Sequence, residues 1–537
     1  MPSTTTSRLL SSIEAGTSKI KDTVTQNGAA TFSTTGSDVL NLFSRAGGLR
    51  GKNEEALELF KKAYVEDPAL AVTLLFHIRD IRQGIGERDL FRACFKYLCN
   101  KKPSLAASLL PAIPEYGRWD DVLYGTLGTR VYKKALKFYT LQLVEDSLKL
   151  LEALKLGEDV SKVSITLAGK WAPSHTANPI RKQLTKDLMD VLGFEEFPEY
   201  TQMTSLLRKH IDIVERKLTS RNYDAIDYSQ LPARAIRKYI KAFRRNDGER
   251  INAFFSKVES GEAKVKAGTL APYELAFKLI NSSNYKTSRS KLSDEELRLA
   301  EAQWKALPDY LKGKHNNALC VVDTSGSMTS MLPKSKANAL SVALSLGLYL
   351  AERADGPWKD HFITFSCNPH LVKLSGKSLQ DKLVNMSKAD WTMSTDLQSV
   401  FTLILNSAKS NNLTQEDMPE TIFIVSDMQF NCAVPGNTMS NFEAIERKYE
   451  DAGYIRPNIV FWNVDSKASE SPVKFNEQGV ALISGLNASG FSNVLSGNFN
   501  PYTVMLKKLV SSRYETVLRL ASESFGEDVQ NYLNAVV

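Results

Sequence analysis

Near residue 315 the hydrophobic period of the chain changes, and that change limits the fold more than anything else in its 537 residues. From Val39 to about Lys314 apolar residues recur at helical spacing: Leu57, Leu59, Phe60 and Tyr64, then Leu70, Leu74, Leu75 and Ile78, then Leu90, Phe91, Phe95 and Leu98. Such steps put the apolar side chains on one face of amphipathic helices. Pro68, Gly84, Gly86, Pro103, Pro111, Pro114, Gly117 and Gly128 fall where those helices should end. No strand-like alternation is read over this length. Residues 37–315 are therefore expected to form an all-α helical-repeat domain of the HEAT type.

After His315 short β-rich runs alternate with helices. Strands are expected at Ala318 to Val322, His361 to Phe365, Thr421 to Val425, Asn458 to Val464 and Val480 to Ile483. Helices are expected over Lys334 to Arg353, Asp396 to Ser410, Asn441 to Tyr454 and Pro501 to Ser524. That order predicts a doubly wound parallel sheet over residues 316–537, giving the chain the class α + α/β. Residues 1–36 are dominated by Ser, Thr, Gly and Ala and are expected to be a flexible tail. A short amphipathic piece at Leu9, Leu10 and Ile13 either docks on a partner or belongs to that tail.

Hydrophobic residues at 43% and charged residues at 24% describe a globular protein with ample material for large cores. Cys94, Cys99, Cys320, Cys367 and Cys432 are odd in number and scattered, so reduced core thiols are expected. The longest apolar stretch, Ala339 to Ala351, falls short of the roughly 20 residues that a membrane span needs. With no signal peptide read, an intracellular, cytoplasmic protein without membrane attachment is expected. The two halves differ in charge: residues 1–315 hold 50 Lys and Arg against 38 Asp and Glu, +12, and residues 316–537 hold 18 against 22, −4. A nucleic-acid-binding body joined to a non-binding domain gives that asymmetry, and so does a solvated basic surface. No phosphate-binding Gly-Lys-Thr loop, His-Glu-x-x-His, Cys-x-x-Cys pair or nucleophile elbow is present, so no enzyme is expected.

The run Ala318-Leu-Cys-Val-Val-Asp323-Thr-Ser325-Gly-Ser327 empties a buried strand into a loop with oxygen donors at alternate positions. Residues two apart on an extended exit point the same way, so Asp323, Ser325 and Ser327 can converge on one hard cation. The all-oxygen set favours Mg²⁺ first, with Mn²⁺ or Ca²⁺ as alternatives, over zinc. An ordinary turn capping the next helix would use the same residues. Two later segments, Trp391-Thr-Met-Ser-Thr395-Asp396 and Ile424-Val-Ser-Asp427, offer further donors at a helix start and a strand exit. Together the three resemble the metal-ion-dependent adhesion site (MIDAS) of von Willebrand factor A domains. That resemblance implies Asp323, Ser325, Ser327, Thr395 and Asp427 as metal ligands; Asp396, an unusual neighbour of Thr395, is a separate candidate to replace it. The resemblance also implies an open coordination position for an acidic group from a partner.

Several phrases of the helical half carry a second resemblance: Ile78-Arg-Asp80-Ile-Arg82-Gln-Gly84-Ile-Gly86-Glu-Arg88, Gly117-Arg118-Trp119-Asp120-Asp121, Gly169-Lys170-Trp171-Ala-Pro173-Ser174-His175 and Pro232-Ala-Arg234-Ala-Ile-Arg237-Lys238. With Ser426-Asp427-Met-Gln-Phe430 and Phe461-Trp462-Asn463, they resemble a domain family of unknown function, number 2828, found in plants, fungi, bacteria and large viruses. That family is similar in turn to the Ro ribonucleoprotein, whose TROVE module is a ring of helical repeats closed by an A domain and binds small structured RNAs and single-stranded ends. The resemblance implies a monomeric ring that binds RNA. Residues 208–250 hold twelve Lys or Arg against six acids. Arg234, Arg237, Lys238, Lys241 and Arg245 share a helical face with Arg244 beside it, able either to track phosphates or to face solvent. Tyr239 and Phe243, on the other side of that helix, are read as core. Lys170, His175, Arg181 and Lys182, in a Pro-broken loop, are further RNA candidates. The leading expectation is a non-enzymatic RNA-binding ribonucleoprotein. The rivals are an adaptor gripping a partner's Asp or Glu through the metal, and a structural or packaged component of a virus particle.

Overall fold

The structure, a computed structural model, describes residues 21–537 except 284–285, 313–316, 334, 366–367, 390–394, 432–440, 466, 468, 495–498 and 536–537. The piece at Leu9, Leu10 and Ile13 lies outside the described residues, as do His315, Cys367, Trp391 and Cys432.

Residues 21–36 depart from the tail expected of their composition. Two short strands, β1 (Thr23–Val24) and β2 (Ala30–Thr31), pair antiparallel. The Thr25 hydroxyl donates to the Phe430 carbonyl at 2.6 Å and the Thr31 hydroxyl to the Ser471 carbonyl at 2.5 Å. Ala29 and Phe32 are buried. A compositional reading weighs apolar side chains, whereas this segment is held largely by hydroxyl-to-backbone hydrogen bonds, each contributing about 0.5–1.5 kcal/mol.

The helices Asp38–Arg45, Asn53–Glu66, Pro68–Arg79 and Arg88–Lys101 then pack in succession. Pro68 opens the third at a position where its missing N–H costs nothing, and the Asp67 carboxylate accepts the Leu70 N–H at 2.8 Å. The array continues through Tyr132–Leu156, Pro179–Leu192 and Phe197–His210. A second cluster follows, in which Ala233–Asn246, Gly248–Glu259 and Asp294–Lys305 pack on one another and Pro272–Leu279 joins the last of them. The start and end of this half meet at Arg50, which donates to Glu87 at 2.7 Å and to the Tyr273 hydroxyl at 3.2 Å. A hairpin, β3 (Ile280–Ser283) with β4 (Lys286–Arg289), interrupts the helices where no strand was expected. Its sequences, Ile-Asn-Ser-Ser and Lys-Thr-Ser-Arg, carry no apolar alternation to read.

Six strands follow: β5 (Ala318–Asp323), β6 (His361–Phe365), β7 (Leu371–Lys373), β8 (Thr421–Ser426), β9 (Asn458–Asn463) and β10 (Val480–Ser484). Their order in the sheet is β10-β9-β8-β5-β6-β7. All are parallel except the edge strand β7, three residues long and antiparallel to β6, which the hydrophobic pattern did not reveal. Alternate residues feed two cores: Cys320, Val322, Phe423, Val425, Val460 and Trp462 on one face, Leu319, Val321, Ile422, Ile424, Ile459 and Phe461 on the other. Both faces being covered, the strands read as continuous apolar runs. The helix expected from Lys334 begins at Ala339, with Asn338 accepting the Ser341 N–H at 2.9 Å as its cap. The single helix expected over Pro501 to Ser524 is two, Pro501–Leu509 and Glu515–Phe525. Their break lets Arg513 Nε reach Asp80 at 2.9 Å and the Tyr514 hydroxyl reach it at 3.0 Å.

The core does not stop at residue 316, for one apolar cluster runs from Val39 to Ala521. Asp38–Arg45 packs on β10, Pro68–Arg79 on Glu515–Phe525, and Pro272–Leu279 on Ala339–Arg353. Among the described residues no helix is long and apolar enough to cross a membrane. Cys94, Cys99 and Cys320 are buried and free.

Candidate metal centre and nucleic-acid interface

β9, β8 and β5 end side by side, and from β5 the chain proceeds to β6 on one flank while β8 occupies the other. Such a reversal opens a crevice at the carboxyl ends of the strands. Asp323 is fully buried there. Its Oδ1 accepts the Ser325 N–H at 2.8 Å and its Oδ2 accepts the Ser426 hydroxyl at 2.6 Å. Burial and then the neighbouring Asp427 push its carboxyl above the usual carboxylate range. The Ser325 and Ser327 hydroxyls lie 3.0 Å apart. Asp427 is fully buried, and its Oδ1 accepts the Gln429 N–H at 3.4 Å.

Asp323, Ser325, Ser327 and Asp427 are thus brought together, while Thr395 is seated against the segment that follows Asp427. The Thr395 hydroxyl donates to the Gln429 carbonyl, lies 3.2 Å from Asn431 Oδ1 and accepts from the Asn27 amide at 3.4 Å. Asp396 does not stand in for it. The Asp396 carboxylate accepts the Ser399 N–H at 3.1 Å and the Ser399 hydroxyl at 2.6 Å, so it caps the helix Leu397–Ser410. The converging donors are carboxylates and hydroxyls, a set that suits Mg²⁺, Mn²⁺ or Ca²⁺ and not zinc.

Three residues here escaped sequence reasoning. Ser426 supplies a hydrogen bond to Asp323, and Asp465 and Lys467 follow the end of β9. Burial holds the Asp465 carboxyl above its usual range against the pull of Lys467. Lys467 Nζ lies 3.4 Å from Asp427 and 3.6 Å from Asp465. A carboxylate leaving a buried strand was the sign used for Asp323, and it applies equally to Asp465.

The basic helix Ala233–Asn246 buries Ala233, Ile236, Ile240 and Phe243 at a three-to-four-residue spacing and turns its charges outward. Phe243 is core as expected. Tyr239 is half-buried, with its hydroxyl donating to Glu215 at 2.8 Å and Lys238 over its ring. The six cations do not act as one face. Arg234 is drawn to Glu274, donating at 2.8 and 2.9 Å, and Arg244 stands 3.9 Å from Glu295. Arg237, Lys238 and Lys241 line an open groove of about 890 Å³, joined by Lys278, Arg289, Lys291 and Lys336, with Arg245 exposed outside that lining; Lys238 stands 3.9 Å from Glu215, Lys241 4.0 Å from Glu296, and Arg289 pairs with Asp381. Among the described lining residues Glu296 is the one acid. Burial and then the charges of Arg237, Lys241 and Lys336 hold the Lys278 ammonium below its usual range, with Glu296 opposing them. Lys278, Arg289, Lys291 and Lys336 were missed because they lie on a further helix, on β4 and in two connecting segments, and only the fold gathers them.

The Pro-broken loop contributes no residue to the groove lining. Lys170 lies over Trp171, which also carries the Arg118 guanidinium at 4.0 Å. His175 packs on Phe197 with ring centroids 4.0 Å apart. Arg181 and Lys182 are exposed in the helix Pro179–Leu192.

Comparison with known proteins follows this geometry. A model described as "Domain of unknown function (DUF2828)" matches residues 25–123 and 197–316, and one described as "Domain of unknown function (DUF7788)" matches residues 317–500. An uncharacterized protein of Acanthamoeba polyphaga mimivirus is 30% identical over 518 residues, 90% of this chain and 86% of the viral one. The chain belongs to the DUF2828 family. Among solved structures, the Ro (RSR) protein of Deinococcus radiodurans matches with a TM-score of 0.42 and 15% identity over 87% of this chain and 93% of that one.

In this DUF2828 chain two of the phrases that carried the resemblance act as joints. Arg79 donates to Asp121 at 2.8 Å, Arg92 to the same carboxylate at 2.7 Å, and Arg118 to Asp120 at 2.8 Å. Asp80 grips Arg513 and Tyr514 of the C-terminal half. A Cβ at Gly84 would stand 2.1 Å from the His77 carbonyl, so the turn after Asp80 admits glycine alone.

Proposed function

We propose that this protein is a non-enzymatic RNA-binding protein of Ro-like design. Its groove, walled by the helix Ala233–Asn246 and residues 277–296 with Lys336 at its edge, takes single-stranded or small structured RNA. The observation that carries this reading is the gathering of seven Lys and Arg around one open groove, with a single acid among the described lining residues. Burial first, and then the neighbouring cations, disfavour the charged form of Lys278, and a polyanion relieves the repulsive part while releasing its own counterions. Lys241, with 79% of its side chain exposed, can follow a phosphate backbone.

Filter binding of a single-stranded oligonucleotide at a series of salt concentrations tests it. Lys238→Glu, Lys241→Glu and Lys291→Glu together should weaken binding by at least tenfold. They should also reduce the slope of log K against log salt by about 2, roughly 0.7 for each phosphate that is no longer neutralised. Unchanged affinity and slope would refute the groove.

The strand-exit oxygens are the proposed seat of a divalent cation, Mg²⁺ first. Asp323, Ser325, Ser327 and Asp427 would hold it, with Thr395 beside them. When bound, the ion supplies a positive centre able to take an acidic oxygen from RNA or from a protein partner.

A further inference from the structure

The carboxylate at the end of β8 has a positive side chain of the same chain against it. Asp323 and Asp427 are both fully buried, and a buried carboxylate is costly unless positive charge or donated hydrogen bonds offset it. The Lys467 ammonium lies 3.4 Å from Asp427 Oδ2 and 3.6 Å from Asp465 Oδ2. It donates to the Ser327 carbonyl at 2.5 Å and to the Ser330 hydroxyl at 3.1 Å. Carboxylate, carbonyl and hydroxyl oxygens around one positive charge are the surroundings of a hard metal ion. The ammonium finds its acceptors on both loops, residues 323–330 after β5 and Asp427 after β8. Its side chain is 28% exposed, so a route out of the site is open to it.

We propose that Lys467 is the resident cation of this centre, a tethered competitor that a divalent ion must displace from Asp427. The inference rests on the metal reading given above. Two positive charges cannot share one buried carboxylate at such distances without strong repulsion. The centre therefore has two states, closed by the ammonium or loaded with metal, and the ion concentration at which they exchange is set by Lys467. In the closed state the ammonium offsets Asp427, and the fold of this half does not require metal.

Mn²⁺ titration of the full chain by calorimetry, with melting curves in chelator and in saturating Mn²⁺, tests the idea. Lys467→Met removes the charge and keeps the length of the side chain, and Lys467→Arg keeps the charge. Lys467→Met should bind Mn²⁺ at least tenfold more tightly than the wild type, and Lys467→Arg should not. In chelator Lys467→Met should melt below the wild type, and Mn²⁺ should raise its melting temperature by more. Adding Asp427→Asn to Lys467→Met should abolish the gain, and a gain that survives would place the ion elsewhere and overturn the proposal. Equal affinity of Lys467→Met and the wild type would overturn it while leaving a metal site in place. If neither chain binds Mn²⁺, Mg²⁺ or Ca²⁺, the metal reading itself fails and displacement with it.

Discussion

At the scale of single residues, His77 shows how burial turns an ordinary side chain into a determinant of pH response. Its ring stacks on Phe43, and Nδ1 lies 2.9 Å from the Tyr514 hydroxyl. Burial, and then the charge of Lys508, pushes its pKa down to about 3. The unfolded chain therefore takes up a proton near pH 6.5 while the folded one does not, and stability is lost as pH falls from about 6.5 towards 3. The limiting slope is about 1.4 kcal/mol per pH unit. Urea unfolding at pH 7 and pH 5 should cost the wild type about 2 kcal/mol more than it costs His77→Gln. Equal losses would show that His77 titrates normally.

At the scale of elements, close approach matters more than propensity. The turn after the helix Asp38–Arg45 lies so near β10 that a Cβ on Gly47 would be 2.1 Å from the Gly485 nitrogen. Gly47 N–H also donates to the Ser484 hydroxyl at 3.0 Å. Gly47→Ala should therefore destabilise the fold by about 1–3 kcal/mol through overpacking, read as a lower melting temperature. Strand limits were legible to within a residue or so because each buried strand is a short apolar run bounded by polar residues. The split near Arg513 was not, since Val510-Ser-Ser-Arg513-Tyr514 breaks the helix in favour of contacts with Asp80, over four hundred residues earlier. Equally hidden was β7, whose three residues are held by pairing with β6 and carry too little pattern to read.

At the scale of the whole molecule, the two halves differ in architecture and yet share one core. Leu70 and Phe76 of the helical half belong to the same apolar cluster as Tyr514 and Val517 of the other. Asp80 crosses the same boundary as a buried ion pair with Arg513. Calorimetry should therefore record one cooperative transition, with agreement between calorimetric and van't Hoff enthalpies, instead of two separate ones. Two resolved peaks would show that the shared core does not couple the halves. Residues 21–36 belong to this scale as well, for their polar side chains gain order only once Phe430 and Ser471 are in place to accept from them.

By itself the sequence determined the class of each half and the strand exits where Asp323 and Asp427 stand, because hydrophobic period and the polarity at the end of a buried run are local properties of a chain. The tertiary structure decided the rest. It drew Lys467 onto Asp427, turned Arg234 to Glu274, and gathered Lys278, Arg289, Lys291 and Lys336 around the basic helix. Charges on separate elements have no common signature in one dimension. Their interaction depends on distance in space, and that distance exists only after the chain has closed on itself.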